Sequence, residues 1–167
     1  IYYLKISENV SEDADRPKIL YTAVHHAREP GSLTQLIFYM WYLLENYNDD
    51  PEIKYLVDNT NMYFIPVINV DGYIFNQNLE PTGGGFWRKN RYPNETGDTV
   101  GVDLNRNYGF EWAFDNEGSS PNEVSDTYRG PGPFSEPETQ AVKQLCLDHD
   151  FKIALNYHTF GNLLIHP

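Results

Sequence analysis

An α/β domain with a mixed central sheet and helices on both faces is the fold class the sequence predicts, and three observations predict it. Short apolar runs of strand character alternate with stretches whose apolar residues recur at three- and four-residue intervals. The chain of 167 residues suits a single domain and is long enough to bury a core. Histidines stand where two of the strand runs stop, and sites in such sheets gather at strand ends.

Taken in order, Ile1 to Ser7 has strand character, Glu8 to Asp15 reads as an acidic turn, and Lys18 to Val24 returns as a more apolar strand. Two such runs joined by a short polar loop predict a hairpin. Pro30 falls where a first helical residue belongs, because its missing N–H would be orphaned there anyway. Leu33, Leu36, Ile37, Met40, Trp41 and Leu44 then give an amphipathic helix over 30–47, with Met40 and Trp41 expected in the core. Asp49-Asp50-Pro51 caps a second helix at about 51–58. Met62 to Ile68 is a buried strand ending in Asn69-Val70-Asp71-Gly72, and a long irregular region follows over roughly 76–134. Irregular stretches of that length inside a compact domain are usually functional. Ser135 with Glu138 forms a capping-box pattern for a helix over 136–149, and residues 151–157 make a last strand that leads directly to His158. Leu163 to Pro167 reads as a further strand cut off as it ends, and the chain starts at Ile1 without methionine, so a fragment is expected.

Composition narrows the function classes. Lys plus Arg is 12 against 24 for Asp plus Glu, a formal net charge of −12. That balance argues against nucleic acid or an anionic membrane as partner, since both select basic surfaces. Cys146 is the only cysteine, so neither an intrachain disulfide nor a thiolate zinc cage is available. No apolar stretch approaches the length of a membrane span. Gly83-Gly84-Gly85 lacks the Lys-Ser/Thr ending of a phosphate loop and reads as a flexible turn. Asn9-Val10-Ser11 and Asn94-Glu95-Thr96 are glycosylation acceptors only in a eukaryotic host.

The chemistry concentrates at His25-His26-Ala27-Arg28-Glu29, on the exit from the Lys18–Val24 run. A histidine and a glutamate three apart on such a turn can close on one ion, and zinc takes both atom types at about 2 Å. A third ligand is needed from elsewhere, and His158 occupies the comparable place after its own apolar run. Two His and one Glu leave a position open for water, the arrangement of a catalytic rather than a structural zinc. Alone, His-x-x-Glu recurs often by chance, and a histidine at a strand end is equally at home as a satisfied structural residue. His25, one position back on an extended chain, is expected to point to the other side and to act as a supporting or packing group.

Two further runs stand out. Phe86-Trp87-Arg88-Lys89-Asn90-Arg91 sets cations beside aromatics, either as a solvated basic loop or as a guanidinium aimed into a cleft to stabilise an oxyanion. In Asp103-Leu104-Asn105-Arg106-Asn107-Tyr108, Asn105 and Arg106 form a candidate clamp for a carboxylate. Asp103 is a candidate to orient a ligating imidazole.

These motifs, in this order along nearly the whole chain, resemble the zinc metallocarboxypeptidases of the carboxypeptidase A/B/T type. The match adds Pro66 to Gly72, Tyr128-Arg129-Gly130, Phe134-Ser135-Glu136-Pro137-Glu138 and the His158 strand. The resemblance implies a carboxypeptidase-like, zinc-exopeptidase fold, with residues 1–167 a partial catalytic domain truncated on its C-terminal side. It implies one Zn2+ per chain held by His26, Glu29 and His158, with Asp103 on the ring of His26. It makes Arg88 the catalytic, carbonyl-polarising residue, Asn105 and Arg106 the holders of the substrate carboxylate, and Arg28 part of the next subsite out. The implied partner is a peptide or protein with a free C-terminal carboxylate, acted on by a monomer that is secreted, extracellular or periplasmic.

Two departures follow from the same comparison. A tyrosine often follows the residue after the third ligand, whereas this chain has Thr159-Phe160 and so an apolar wall. The family's general-base glutamate, capping tyrosine and pocket floor lie well beyond the third ligand, and none occurs in this chain. The reading is therefore a peptidase fragment that removes C-terminal residues only with its remaining half supplied. The alternatives are a zinc deacylase or cell-wall peptide amidase on the same scaffold, and a non-catalytic metal- or peptide-binding homologue.

Overall fold

The computed structural model describes residues 1–11, 15–159 and 161–166. Its four strands are β1 (Leu4–Ile6), β2 (Lys18–Ala23), β3 (Asn61–Ile65) and β4 (Phe151–Tyr157), in the order β1-β3-β2-β4. β1 runs antiparallel to β3, while β3, β2 and β4 are mutually parallel. The predicted hairpin of β1 with β2 does not form, because β3 inserts between them: Thr22 pairs with Ile65 on one side and Asn156 on the other. The turn expected between them lies partly outside the described residues.

Alternation along the strands explains the two cores. From β2 and β3, Tyr21, Ala23, Met62 and Phe64 join Leu36 and Leu43 of α1 (Pro30–Glu45) and Ile53 and Val57 of α2 (Pro51–Asn59). The intervening Leu20, Tyr63 and Ile65 face Leu104 and Val142 and Leu145 of α4 (Pro137–Asp148). Strands covered on both faces need apolar side chains at successive positions, which is why they read as continuous apolar runs. The helices thus lie on both faces, as expected.

Helix α1 buries a single stripe, Leu33, Leu36, Met40 and Leu43, against the sheet. Trp41, expected in the core, is instead 59% exposed, with Phe38 and Leu44 also on the outer side. The spacing reads correctly as helical, but Ile37, Trp41 and Leu44 fall about one residue's rotation off the contact stripe. Helix α2 starts as expected: Asp50 Oδ1 accepts from the backbone N–H of Glu52 and, more loosely, of Ile53 at 2.9 and 3.4 Å. Asp50→Ala is expected to cost about 1 kcal/mol in a urea unfolding series, the usual loss for a missing cap.

Three further expectations need correction. The strand read as Met62 to Ile68 stops at Ile65, before Pro66, and a helix not foreseen in the sequence, α3 (Val70–Leu79), follows and runs into the stretch read as irregular from about 76. Asn69 caps that helix by accepting from Gly72 N at 3.1 Å. Gly72 suggests a turn but serves close packing: a Cβ there would lie 2.6 Å from the Lys89 carbonyl and 2.9 Å from Ala27 Cβ. The Ser135–Glu138 capping box does not form either. Glu136 is the cap position and makes no side-chain cap bond, and Ser135 Oγ donates to Glu136 Oε1 at 2.7 Å. Last, residues 162–166 form no strand, and Pro167 lies outside the described residues.

Candidate metal centre

The carboxyl ends of β2, β3 and β4 share one edge of the sheet, and the chain segments leaving them build the site. β2 ends at Ala23, and the next residue, Val24, has a φ of 55°, a strained value for a β-branched residue. Beyond it the chain bends through residues 25–28 instead of staying extended. That turn is tied down by remote groups. Asn69 Nδ2 donates to the carbonyls of His25 and Arg88 at 3.1 and 3.3 Å, and Ala27 N donates to Arg88 O at 2.9 Å. Buried Ser32 joins the strand exit to the helix start: its hydroxyl donates to Glu29 O and accepts from Val24 N.

This framework brings His26, Glu29 and His158 together, each offering one ligand atom within 4.8 Å of the others. Glu29 spans the pair, with Oε1 2.7 Å from His26 Nδ1 and Oε2 2.7 Å from His158 Nδ1. The two Nδ1 atoms are 3.2 Å apart. Asp103 Oδ1 lies 3.1 Å from His26 Nε2, so a proton on Nε2 would bond Asp103 and leave Nδ1 as the atom offered to a metal. This nitrogen–nitrogen–oxygen set, with its ligand atoms clustered around one point, is donor chemistry that fits zinc. Burial opposes charge on His26, but its hydrogen bonds to Asp103 and Glu29 prevail and raise its pKa. Burial likewise opposes ionisation of Glu29, yet the two imidazoles hold its carboxyl well below the usual range.

Asp103 connects this cluster to Arg88. Its Oδ2 accepts from Arg88 Nε and Nη2 at 3.0 and 2.8 Å, while Oδ1 also accepts from Asn105 N at 3.0 Å. Arg88 therefore stands beside the cluster, gripped by the same carboxylate that holds His26. Asn105 and Arg106 follow in a 3₁₀ turn, Leu104–Arg106, and line an open pocket of about 410 Å³ walled by residues of the 110–119 loop. The Arg106 guanidinium is held by the carbonyls of Gly118 and Asn105 at 2.6 and 3.0 Å. Arg28 lies apart on the surface, paired with Asp126 at 3.3 Å. Phe160, expected as an apolar wall, lies outside the described residues.

His25 does not point away from the cluster, because the bend after Val24 cancels strand alternation. It is buried and stacks on His158, with ring centroids 5.6 Å apart and 21° between planes. Burial first, then the neighbouring imidazoles of His158 and His26, push its pKa down to about 3, so the ring is uncharged at neutral pH. Its Nε2 lies 2.8 Å from Tyr108 Oη, a hydroxyl whose pKa burial raises. Sequence reasoning missed Ser32, Asn69, Asn107 and Tyr108 as framework residues. Asn69 as a cap ahead of Asp71 was the one local signal available.

Comparison with known proteins agrees with this architecture. The zinc carboxypeptidase family model matches residues 1–167. Metallocarboxypeptidase A of Trichophyton tonsurans is 35% identical over 156 residues, covering 91% of this chain and 36% of the relative. Carboxypeptidase O of Bos taurus is 37% identical over 170 residues, covering 100% of this chain and 43% of the relative. Among solved structures, carboxypeptidase A from Helicoverpa armigera superposes with a TM-score of 0.80 at 31% identity, over 95% of this chain and 37% of that one. The protein belongs to the zinc carboxypeptidase family and has the carboxypeptidase fold. It spans 36–43% of the length of these curated relatives.

Proposed function

We propose that this chain supplies the metal centre and carboxylate-recognition half of a metallocarboxypeptidase that hydrolyses the C-terminal peptide bond of peptides. The observation that carries the proposal is the convergence of His26, Glu29 and His158, from segments far apart in sequence, on one point with Asp103 behind His26. Zinc, when bound there, supplies a Lewis acid that acidifies water and polarises a carbonyl. Arg88, oriented by Asp103, stabilises the oxyanion that develops on the attacked carbonyl. Asn105 and Arg106 hold the substrate's terminal carboxylate, which restricts cleavage to the last residue. Arg28, exposed and paired with Asp126, is assigned on the family pattern to the substrate residue further from the terminus. Both carboxylates at the centre are engaged, Glu29 on the imidazoles and Asp103 on His26 and Arg88. The proton acceptor for the attacking water therefore comes from outside this group. An extracellular or periplasmic location goes with this reading and rests on the family alone.

Elemental analysis of the purified chain tests the metal centre. The expected result is about one zinc per chain, lost in His158→Ala, since a site assembled by folding needs all its ligands. A folded chain that takes up no zinc would sink the assignment. For the substrate class, hydrolysis of an acyl-dipeptide is to be compared with its C-terminal amide on a catalytically competent form of the protein. Equal rates would remove the carboxylate clamp from the proposal.

A further inference from the structure

Resting on the zinc reading, a further inference concerns how the ring of His158 is held. A ligating histidine is normally oriented by a hydrogen bond from its second ring nitrogen, as Asp103 orients His26. The side-chain hydrogen bonds of His158 among the described residues all involve Nδ1, the atom facing Glu29 and His26. Among the described residues, nothing bonds its Nε2. The His26 ring stands nearest, tilted by 50° with centroids 4.7 Å apart, and His25 is the near-parallel neighbour, at 21° and 5.6 Å between centroids. His25 in turn is fixed by Tyr108 Oη at 2.8 Å from Nε2, while its buried Nδ1 has no partner among the described residues. Tyr108 is itself braced, its ring edge-on to Phe134 at 5.9 Å and 89°.

Residues 103–108 thus grip both histidines of the pair, Asp103 at one end taking His26 and Tyr108 at the other taking His25. We propose that Tyr108 and His25 are positioning residues for the metal centre: the Tyr108 hydroxyl fixes the His25 ring, and that ring sets the plane of His158. A flat neighbour constrains the tilt of an imidazole without competing for its nitrogens. The His25 side chain is the part of the His-His pair that the proposed chemistry leaves unused.

The test uses the whole chain, with Zn2+ affinity measured by competition against a chromophoric chelator and geometry read from the visible spectrum of the Co2+ form. Tyr108→Phe keeps the ring against Phe134 and removes only the hydroxyl. It is expected to weaken zinc binding roughly tenfold and to shift the Co2+ bands, while the metal-free chain still unfolds cooperatively. His25→Phe provides the second variant, because a phenyl ring can stack on His158 without needing the hydroxyl. In that background Tyr108→Phe is expected to have no further effect on affinity or spectrum, the signature of two residues acting through one contact. Wild-type affinity and spectrum in Tyr108→Phe would overturn this inference alone. A wild-type chain that binds neither metal would overturn the zinc reading and this inference with it.

Discussion

Asp103→Ala is expected to destabilise the metal-free protein by roughly 3–5 kcal/mol, the range for breaking a buried ion pair from one side, and to weaken zinc binding 10–100-fold. Asp103 is fully buried and serves His26, both nitrogens of the Arg88 fork and the backbone N–H of Asn105. Its loss leaves the largely buried Arg88 guanidinium without its carboxylate and frees the His26 ring to rotate. Asp103→Asn keeps the shape and removes the charge, so it should retain more stability than Asp103→Ala while still losing metal affinity. The pH dependence has a definite sign. Burial alone would raise the Asp103 pKa, but the His26 hydrogen bond, followed by His26 and Arg88 charge, lowers it. The unfolded chain therefore binds the proton more readily, and this stabilisation is present above the ordinary aspartate pKa of about 3.9 and fades as pH falls below it. Urea unfolding with chelator at pH 7 and pH 3 measures both effects. A wild-type midpoint no more acid-sensitive than that of Asp103→Asn would contradict the pairing.

How much of this was legible in the sequence depends on whether the controlling interaction is local. Pro30 and Asp50 mark helix starts through their own backbone chemistry, and α1 and α2 begin there. The apolar runs ahead of His25 and His158 read correctly as strands: β2 is buried from Leu20 onward, and the largely exposed β4 still carries the aromatic and β-branched residues Phe151, Ile153 and Tyr157. Strand order was not legible. Nothing in residues 1–24 says that Asn61–Ile65 will insert between β1 and β2. Trp41 shows the limit of periodicity, which identifies a helix but leaves open which stripe meets the sheet. Helix α3 was hidden because Gly72 looks like punctuation, and its real reason is the Lys89 carbonyl brought close by tertiary packing. At the site, the proposed ligand residues could be nominated from residue type together with their place after apolar runs. The groups that aim them, Ser32, Asn69 and Tyr108, are ordinary polar residues until remote segments arrive beside them.

Asn107 is the strongest case of that kind, and Asn107→Ala is expected to cost at least about 3 kcal/mol, since each buried polar group left unpaired costs roughly 1–3 kcal/mol. Its fully buried Nδ2 shares two N–H groups among three acceptors, the carbonyls of Arg129 and Gly132 and Ser135 Oγ, at 2.9, 3.0 and 2.8 Å. Its Oδ1 accepts from Thr139 Oγ1 at 2.7 Å and Glu136 N at 3.3 Å, so one side chain joins the 129–132 turn to the start of α4. The turn is built around it: Gly130 has a φ of 85°, and a Cβ there would stand 2.7 Å from Asn107 Nδ2. Arg129 extends the same framework into the pocket wall, its Nη1 sharing two N–H groups among Asp115 O, Asn116 Oδ1 and Ser119 Oγ at 2.8, 3.0 and 3.2 Å. Asn107→Asp separates bonding from volume. It conserves size but turns a carboxylate oxygen toward two carbonyls, so it should destabilise at least as much as alanine. Near-wild-type unfolding of the aspartate variant would show that Asn107 acts as filler. Because Asn107 directly follows the proposed clamp and closes its turn by donating to Leu104 O at 3.2 Å, both variants should also weaken binding of a peptide carboxylate. That loss would occur without any change to Arg106 itself, since the clamp's geometry is set by the residues that hold its loop.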